Sequence, residues 1–165
     1  MKQIGEDLWV HEDTMRFLGA PLGLRMTVVK LTDGSLWVHS PTALSPQLKA
    51  DIEKLGAVNC IVGASNGHNI WLKQWQEAFP EAQLYVSRGI VKKLNLTDYH
   101  LLDDSEQERW QGDLIHADMP DVPFFDESVF LHQKTKSLIV TDLIQNYCGK
   151  KPSGIAGFIT RFIFE

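Results

Sequence analysis

The stretch from Met26 to Ser87 constrains the fold more than any other part of the sequence, because β-rich runs and helical runs alternate along it. The runs RMTVVKL and SLWVHS flank an Asp33-Gly34 turn, and this arrangement predicts a β-hairpin. A helix, a strand, a second helix and a third strand are predicted to follow. Strands that alternate with helices indicate a sheet with helices packed on its faces.

The helical and extended runs of this region carry their own start and stop signals. Ser45 is a good N-cap, Pro46 suits the first helical position, and Gly56 lies where a C-terminal cap belongs. Between them an apolar stripe recurs at helical spacing: Leu48, Ile52 and Leu55. The runs VNCIVG, NIWLKQWQEAF and AQLYVS are then predicted to form a buried strand, a helix and a strand.

The second half of the chain is less regular. From Lys92 to Asp126 the pattern is loose and polar, and it predicts loops. The runs SVFLH and SLIVT, separated by QKTK, predict a second hairpin. The last residues, Ile155 to Phe164, are apolar at helix-like spacing. We expect this segment to be buried, either against the sheet or in the contact of a homodimer.

Composition narrows the class of protein. The 165 residues suit one domain that spans residues 1–165, and 44% hydrophobic with 22% charged residues is typical of a globular protein. A net charge of -5 gives no electrostatic reason to expect a nucleic-acid partner. No apolar run approaches the roughly 20 residues that span a bilayer, so no membrane association is expected. Two distant cysteines and no signal-peptide pattern favour a reduced, cytoplasmic protein.

Three strings carry a resemblance to a known family. LGAPLGLRMTVVKLTDGSLWVHSPTAL, FPEAQLYVSRGIVKK and SVFLHQKTKSLIVTDLIQN resemble, in this order, an uncharacterised family of metallo-β-lactamase-like proteins. The resemblance covers roughly Leu8 to Asn146. It implies an α/β fold, an αββα sandwich in which two mixed sheets pack face to face and are flanked by helices, here with a shortened C-terminal region. It further implies a site at one sheet edge, one or two Zn, Fe or Mn ions, and hydrolysis of esters, amides, thioesters or phosphodiesters.

The metal motif of that superfamily is largely replaced in this sequence. His-x-His-x-Asp-His lies over the residues from Gly63 to His68, and only the last position matches. The first two histidines are replaced by Gly63 and Ser65, and the aspartate by Gly67. Asp142, at the end of SLIVT, matches the position of the metal-bridging aspartate. The resemblance therefore does not predict a standard two-zinc hydrolase.

His39, His68 and Asp142 are the candidate site residues. Each is predicted to follow a strand, and two histidines with one carboxylate are typical of a mononuclear Fe, Mn or Zn centre. Glu127, beside the loop where another ligand is expected, is a weaker metal candidate. Each also has a structural interpretation. His68 and Asp142 are suited to helix or turn caps, Glu127 could cap a strand, and His39 could be a surface side chain packed on Pro41.

Two functions remain open from the sequence. One is a hydrolase with a small-molecule substrate, in which one Zn, Fe or Mn ion is held by His39, His68 and Asp142, and His39 or Asp142 orients or deprotonates the attacking water. The other is a metal-free, non-catalytic domain of the same fold that binds a small ligand or a protein. His132, at the turn of the second hairpin, is expected at the surface, and His11, His100 and His116 carry no pattern that indicates function.

Overall fold

A computed structural model of the chain describes residues 1–17, 20–102, 109–119 and 126–144. The larger of its two described sheets has seven strands: β1 (Lys2–Gly5), β2 (Leu8–Phe17), β3 (Ala20–Lys30), β4 (Leu36–His39), β5 (Val58–Gly63), β6 (Gln83–Val86) and β7 (His100–Leu101). They lie side by side in chain order, antiparallel from β1 to β4 and parallel from β4 to β7. Three helices connect the parallel strands: α1 (Pro46–Leu55), α2 (Leu72–Ala78) and α3 (Arg88–Leu94).

The first predicted hairpin is confirmed as β3 and β4. Thr27 pairs with His39 and Lys30 with Leu36, so the turn lies at residues 31–35. The Asp33 carboxylate accepts the backbone N–H of Ser35 at 2.8 Å. Gly34 has a φ of 86°, a left-handed conformation that glycine adopts without steric cost. Local turn chemistry is sufficient to explain this hairpin.

Helices α1 and α2 were predicted from the sequence, with one difference in where α2 begins, whereas α3 was not predicted. Ser45 Oγ accepts the N–H of Leu48 at 3.1 Å, which confirms the predicted N-cap of α1. Helix α2 begins at Leu72 rather than at Asn69, where the apolar run begins. The reason is that the side-chain amide of Asn69 donates to the carbonyl of Asn66 at 2.5 Å and stabilises a turn instead.

The smaller sheet contains β8 (Leu114–Met119), β9 (Glu127–His132) and β10 (Ser137–Ile139), in the order β10-β9-β8. All of its described pairs are antiparallel. The second predicted hairpin is confirmed as β9 and β10. The prediction of loops from Lys92 to Asp126 is wrong for the end of α3, for β7 and for β8. In β8, buried Leu114 and His116 alternate with exposed Ile115. Nothing in the sequence patterns identified β1 or β2.

Apolar layers cover both faces of the larger sheet. On one face Val28 and Ile61 pack with Leu72 and Trp75 of α2. On the other face a second buried cluster lies between the two sheets, and it includes Trp37, Val62, Tyr85, Trp110 and Phe130. The two sheets therefore pack face to face, with helices on the far side of the larger one.

Some predictions fall outside the described residues. The apolar segment 155–164 is among these, so its burial and the homodimer contact stay predictions. Within the described ranges, no helix combines the length and the hydropathy that a membrane span requires.

Candidate functional site

The candidate residues lie where the edges of the two sheets meet. Strands β4, β5 and β6 are parallel, so their carboxyl ends lie at one edge of the larger sheet. The start of β9 and the end of β10 lie at the facing edge of the smaller sheet. Ser128 N–H donates to the carbonyl of Ala64 at 2.9 Å, and the hydroxyls of Ser40 and Thr141 are 3.2 Å apart. These contacts place β9 beside the end of β5 and β10 beside the end of β4.

Asp142 is the centre of a polar network at this edge. Its carboxylate accepts a short hydrogen bond from Ser65 Oγ and lies 3.2 Å from Nδ1 of His68. The Asp142 side chain is 6% exposed and that of His68 is 19% exposed. Burial opposes ionisation of Asp142, but the hydrogen bonds and charge of His68 and Ser65 outweigh it and lower the pKa of the carboxyl. The structure thus brings two of the three predicted residues into direct contact.

Gly67 provides the space that Asp142 occupies. A Cβ built on Gly67 would lie 2.5 Å from Asp142 Oδ2, closer than any stable contact. The absence of a side chain at residue 67 therefore leaves the room that the Asp142 carboxylate occupies. Ser65 Oγ also accepts the Gly67 N–H at 3.2 Å, which holds the loop against the carboxylate.

Glu127 holds the backbone around Asp142. Its two carboxylate oxygens accept three successive N–H groups, from Thr141 at 2.6 Å and from Asp142 and Leu143 at 2.8 Å each. Burial raises the pKa of Glu127, and these backbone hydrogen bonds partly offset that rise. Three donors leave little capacity for a metal ion, so the geometry gives Glu127 the role of positioning Asp142.

His39 is buried at the same edge rather than at the surface. It is 1% exposed and stacks on Trp37, with ring centroids 5.3 Å apart. Burial, reinforced by the charge of His68 and opposed by that of Asp142, lowers the pKa of His39 to about 3. The imidazole is therefore neutral at physiological pH. Its Nε2 lies 3.4 Å from the hydroxyl of Thr141, a weak hydrogen bond.

The described residues do not fit the predicted metal centre as they are arranged. His68 and Asp142 point at each other, and the nearest polar partner of His39 is a hydroxyl group. No group of three or more His, Cys, Asp or Glu side chains in the described ranges is arranged to hold a metal ion. As placed, the three candidate residues do not form the ligand set that a mononuclear centre requires.

His132 and Cys60 are both buried outside the Asp142 network. His132 is 1% exposed, so the prediction of a surface histidine is wrong. It lies on the inward face of β9 with Phe130, and its Nδ1 lies 2.8 Å from the Thr135 hydroxyl. Cys60 is buried in β5 as a free cysteine, and burial raises the pKa of its thiol to about 11, which makes the thiol inert.

Two participants in the network were not predicted as site residues from the sequence. Ser65 occupies the second histidine position of the motif, and that alignment is the one signal that could have identified it. Thr141 bridges His39 and Ser40, and no pattern in the sequence indicates this contact. Both contacts join residues more than 70 positions apart, which only the packing of the two sheets brings together.

Several solved structures of metallo-β-lactamases have this architecture. DIM-1 metallo-β-lactamase exposed to ceftazidime superposes with a TM-score of 0.69 at 15% identity, over 90% of this chain and 72% of that chain. Metallo-β-lactamase IND-7 superposes with a TM-score of 0.67 at 13% identity, over 92% of this chain and 73% of that chain. The metallo-β-lactamase from Pontibacter korlensis superposes with a TM-score of 0.62 at 10% identity, over 91% of this chain and 74% of that chain. Two packed sheets with their strand ends at a shared edge therefore define a metallo-β-lactamase fold.

The family within that fold is shown by a match over most of the chain. Residues 5–157 match DUF4336, a domain of unknown function, and the chain belongs to this family. The resemblance found in the sequence and the predicted fold are confirmed. Among curated proteins, none matches the sequence.

Proposed function

We propose that the protein is a hydrolase in which His68 is the general base and Asp142 orients it. One observation carries the proposal: a buried carboxylate at the shared sheet edge binds both Ser65 and His68, while Glu127 holds its backbone with three hydrogen bonds. Buried polar networks are costly unless they are fully satisfied, and they concentrate at functional sites. A network that served only to cap a turn would not need a partly exposed histidine.

The chemistry follows from the two nitrogens of His68. When Nδ1–H donates to Asp142, Nε2 has a free lone pair, and it has no hydrogen-bond partner in the described part of the chain. Nε2 takes a proton from water while the water oxygen bonds to the electrophilic carbon or phosphorus. The bond to the leaving group then breaks, and the imidazolium returns the proton to the leaving oxygen or sulfur. The Asp142 carboxylate stabilises the imidazolium between these steps.

The substrate class is proposed from the fold. Small esters, thioesters and phosphodiesters are hydrolysed within the superfamily that the sequence resembles, and His68 is 19% exposed, which allows a small molecule to approach. The test is hydrolysis of 4-nitrophenyl acetate, S-phenyl thioacetate and bis(4-nitrophenyl) phosphate. We expect His68→Ala and Asp142→Asn each to lower kcat for the accepted substrate about 10²- to 10⁴-fold.

His11→Ala is the control, since His11 lies in β2 and makes none of the hydrogen bonds of the network. A rate that is unchanged in His68→Ala, or one that falls equally in His11→Ala, contradicts the assignment. If the wild-type chain hydrolyses none of the three ester classes, the non-catalytic alternative replaces the hydrolase.

A mononuclear metal hydrolase at His39, His68 and Asp142 is the second candidate. The observation that favours it is that the three side chains lie at one sheet edge, close enough for the charges of His68 and Asp142 to act on His39, so an ion would bind there only after the side chains rearrange. Elemental analysis of protein purified without added metal, and again after titration with each ion, tests it. One equivalent of metal that is lost in His68→Ala supports this candidate. No bound metal in either state eliminates it.

The setting is proposed along with the function. A reduced cytoplasmic compartment suits the free, buried Cys60. The net charge of -5 continues to argue against a nucleic-acid partner. A homodimer formed through residues 155–164 remains part of the proposal, and its test is given below.

A further inference from the structure

A second pair of a histidine and an aspartate lies at the same sheet edge, on β8. His116 Nε2 is 2.9 Å from Asp118 Oδ1, and Ser128 Oγ donates to the same oxygen at 2.6 Å. Asp118 pairs with Ser128 across β8 and β9, and the Ser128 N–H donates to Ala64, next to Ser65. The three residues therefore lie beside the proposed hydrolytic site, and none of them takes part in it.

The Asp118 carboxylate is held on one side and open on the other. The His116 side chain is 1% exposed and Ser128 is 3% exposed, whereas the Asp118 side chain is 42% exposed. Both hydrogen bonds go to Oδ1, and Oδ2 has no hydrogen-bond partner among the residues that the structure describes. The ion pairs of those residues give Asp118 no lysine or arginine partner. The partly exposed carboxylate is thus held through Oδ1, and Oδ2 is left without a partner among the described residues.

His116 lacks the partners that a purely structural histidine would have. Its ring stacks on Phe130, with centroids 4.9 Å apart, and its Nδ1 is buried without a hydrogen-bond partner in the described ranges. Buried polar atoms are nearly always paired, so an unpaired one calls for an explanation. The hydrogen bond that the ring makes is with Asp118, and holding that carboxylate is the role consistent with the geometry.

We propose that Asp118 is a binding subsite for a cationic group that carries N–H donors, an alkylammonium or a guanidinium. Such a group donates to Oδ2 in a charge-assisted hydrogen bond. Asp118 lies on β8, and Asp142 follows β10. Strand β9 lies between these two strands, so β8 and β10 are two strand spacings apart, about 10 Å. The inference extends the proposed function by naming a charge on the substrate, but its test measures binding alone.

The probe is n-butylammonium chloride, titrated at constant ionic strength into the ¹⁵N-labelled full chain. We expect saturable NMR shifts centred on the amides of Ala117, Asp118 and Ser128, and weaker or no shifts with 1-butanol, the neutral analogue. Asp118→Asn keeps an acceptor for Ser128 and removes the charge, so the Kd for butylammonium should rise about tenfold. Asp51→Asn, on α1, is the matched control and should leave the Kd unchanged.

Three results overturn the proposal: no saturable shift at these amides, equal binding of 1-butanol, or an unchanged Kd in Asp118→Asn. Ser128→Ala, which removes one of the two groups that hold Asp118, should weaken butylammonium binding less than Asp118→Asn does. A chain that binds butylammonium but hydrolyses no ester supports this subsite and contradicts the hydrolase. A chain that hydrolyses esters but does not bind butylammonium supports the hydrolase and contradicts this subsite.

Discussion

Gly67 is the residue on which the geometry of the Asp142 network depends most directly. A side chain at position 67 and the Asp142 carboxylate cannot occupy the same space, since the two would be 2.5 Å apart. The placement of the Asp142 carboxylate therefore requires that position 67 has no side chain.

Gly67→Ala tests this interpretation. The added Cβ should displace the Asp142 carboxylate from Ser65 and lower the free energy of unfolding by about 1–3 kcal/mol. Urea denaturation measures the change. Gly23→Ala is the control, because a Cβ at Gly23 meets nothing within 4 Å, and its effect should stay within about 1 kcal/mol. Equal effects of the two substitutions contradict the proposed steric conflict.

Glu127 acts on the site through the backbone, and Glu127→Gln tests that role. The amide nitrogen of glutamine would face backbone N–H groups, so at least one of the three hydrogen bonds is lost. We expect the free energy of unfolding at pH 7 to fall by about 1–3 kcal/mol. The amides of Thr141, Asp142 and Leu143 should exchange faster by NMR. Glu53→Gln, at an exposed ion pair on α1, should change neither quantity appreciably.

At the scale of elements, the parts that sequence patterns predicted are those whose causes are local. Helix α1 follows from its Ser45 cap and its apolar stripe, and the two hairpins follow from their turns. Strands β1, β2 and β8 were missed because polar residues interrupt their apolar patterns, although each pairs with a strand that is its neighbour in the chain. The long antiparallel pair of β2 and β3 extends from Leu8–Val29 to Phe17–Ala20, and polar residues such as Glu12 and Arg25 lie opposite each other within it.

Truncation tests the predicted burial of the apolar C-terminal segment, residues 155–164. If residues 155–164 are buried against the sheet or in a dimer, a chain that ends at residue 150 should lose apolar contacts. We expect a lower free energy of unfolding by urea, and sedimentation analysis distinguishes the two cases. A dimer that becomes a monomer on truncation supports the intermolecular contact. Unchanged stability and unchanged mass together contradict burial of the segment.

For the whole molecule, the burial of His39 predicts acid sensitivity. The ordinary pKa of histidine is 6.5, and in the folded protein that of His39 is lowered to about 3. Between these values the unfolded chain binds a proton at His39 and the folded chain does not, so stability falls as pH falls through this range. The loss is fully developed only near pH 3, where the folded form also becomes protonated.

His39→Gln should remove most of that dependence. From pH 7 to pH 5 the wild-type protein, treated with chelator, should lose about 2 kcal/mol more stability than His39→Gln. Urea denaturation across the pH series measures the difference. His11→Gln, which replaces a histidine in β2 that is only partly buried, should follow the wild-type curve. Parallel curves for wild type and His39→Gln would show that His39 is protonated in the folded protein.

The sequence by itself determined the central architecture and the identity of the candidate residues. The alternation of strands and helices, the turn at Asp33-Gly34 and the three family-like strings were enough for the fold, because hydrophobic periodicity and turn chemistry act over short distances. The same reasoning placed His39, His68 and Asp142 at strand ends. The sequence patterns did not predict which residues those side chains contact.

Only the tertiary structure decided how these residues are arranged. The contacts of Asp142 with Ser65 and His68 span more than 70 positions, and they exist because the smaller sheet packs on the larger one. The same packing buries His39, gives Glu127 its three backbone partners and leaves Asp118 open to solvent. Side-chain contacts and burial depend on which sheet faces meet, and that is settled by the packing of the whole core rather than by any local run of residues.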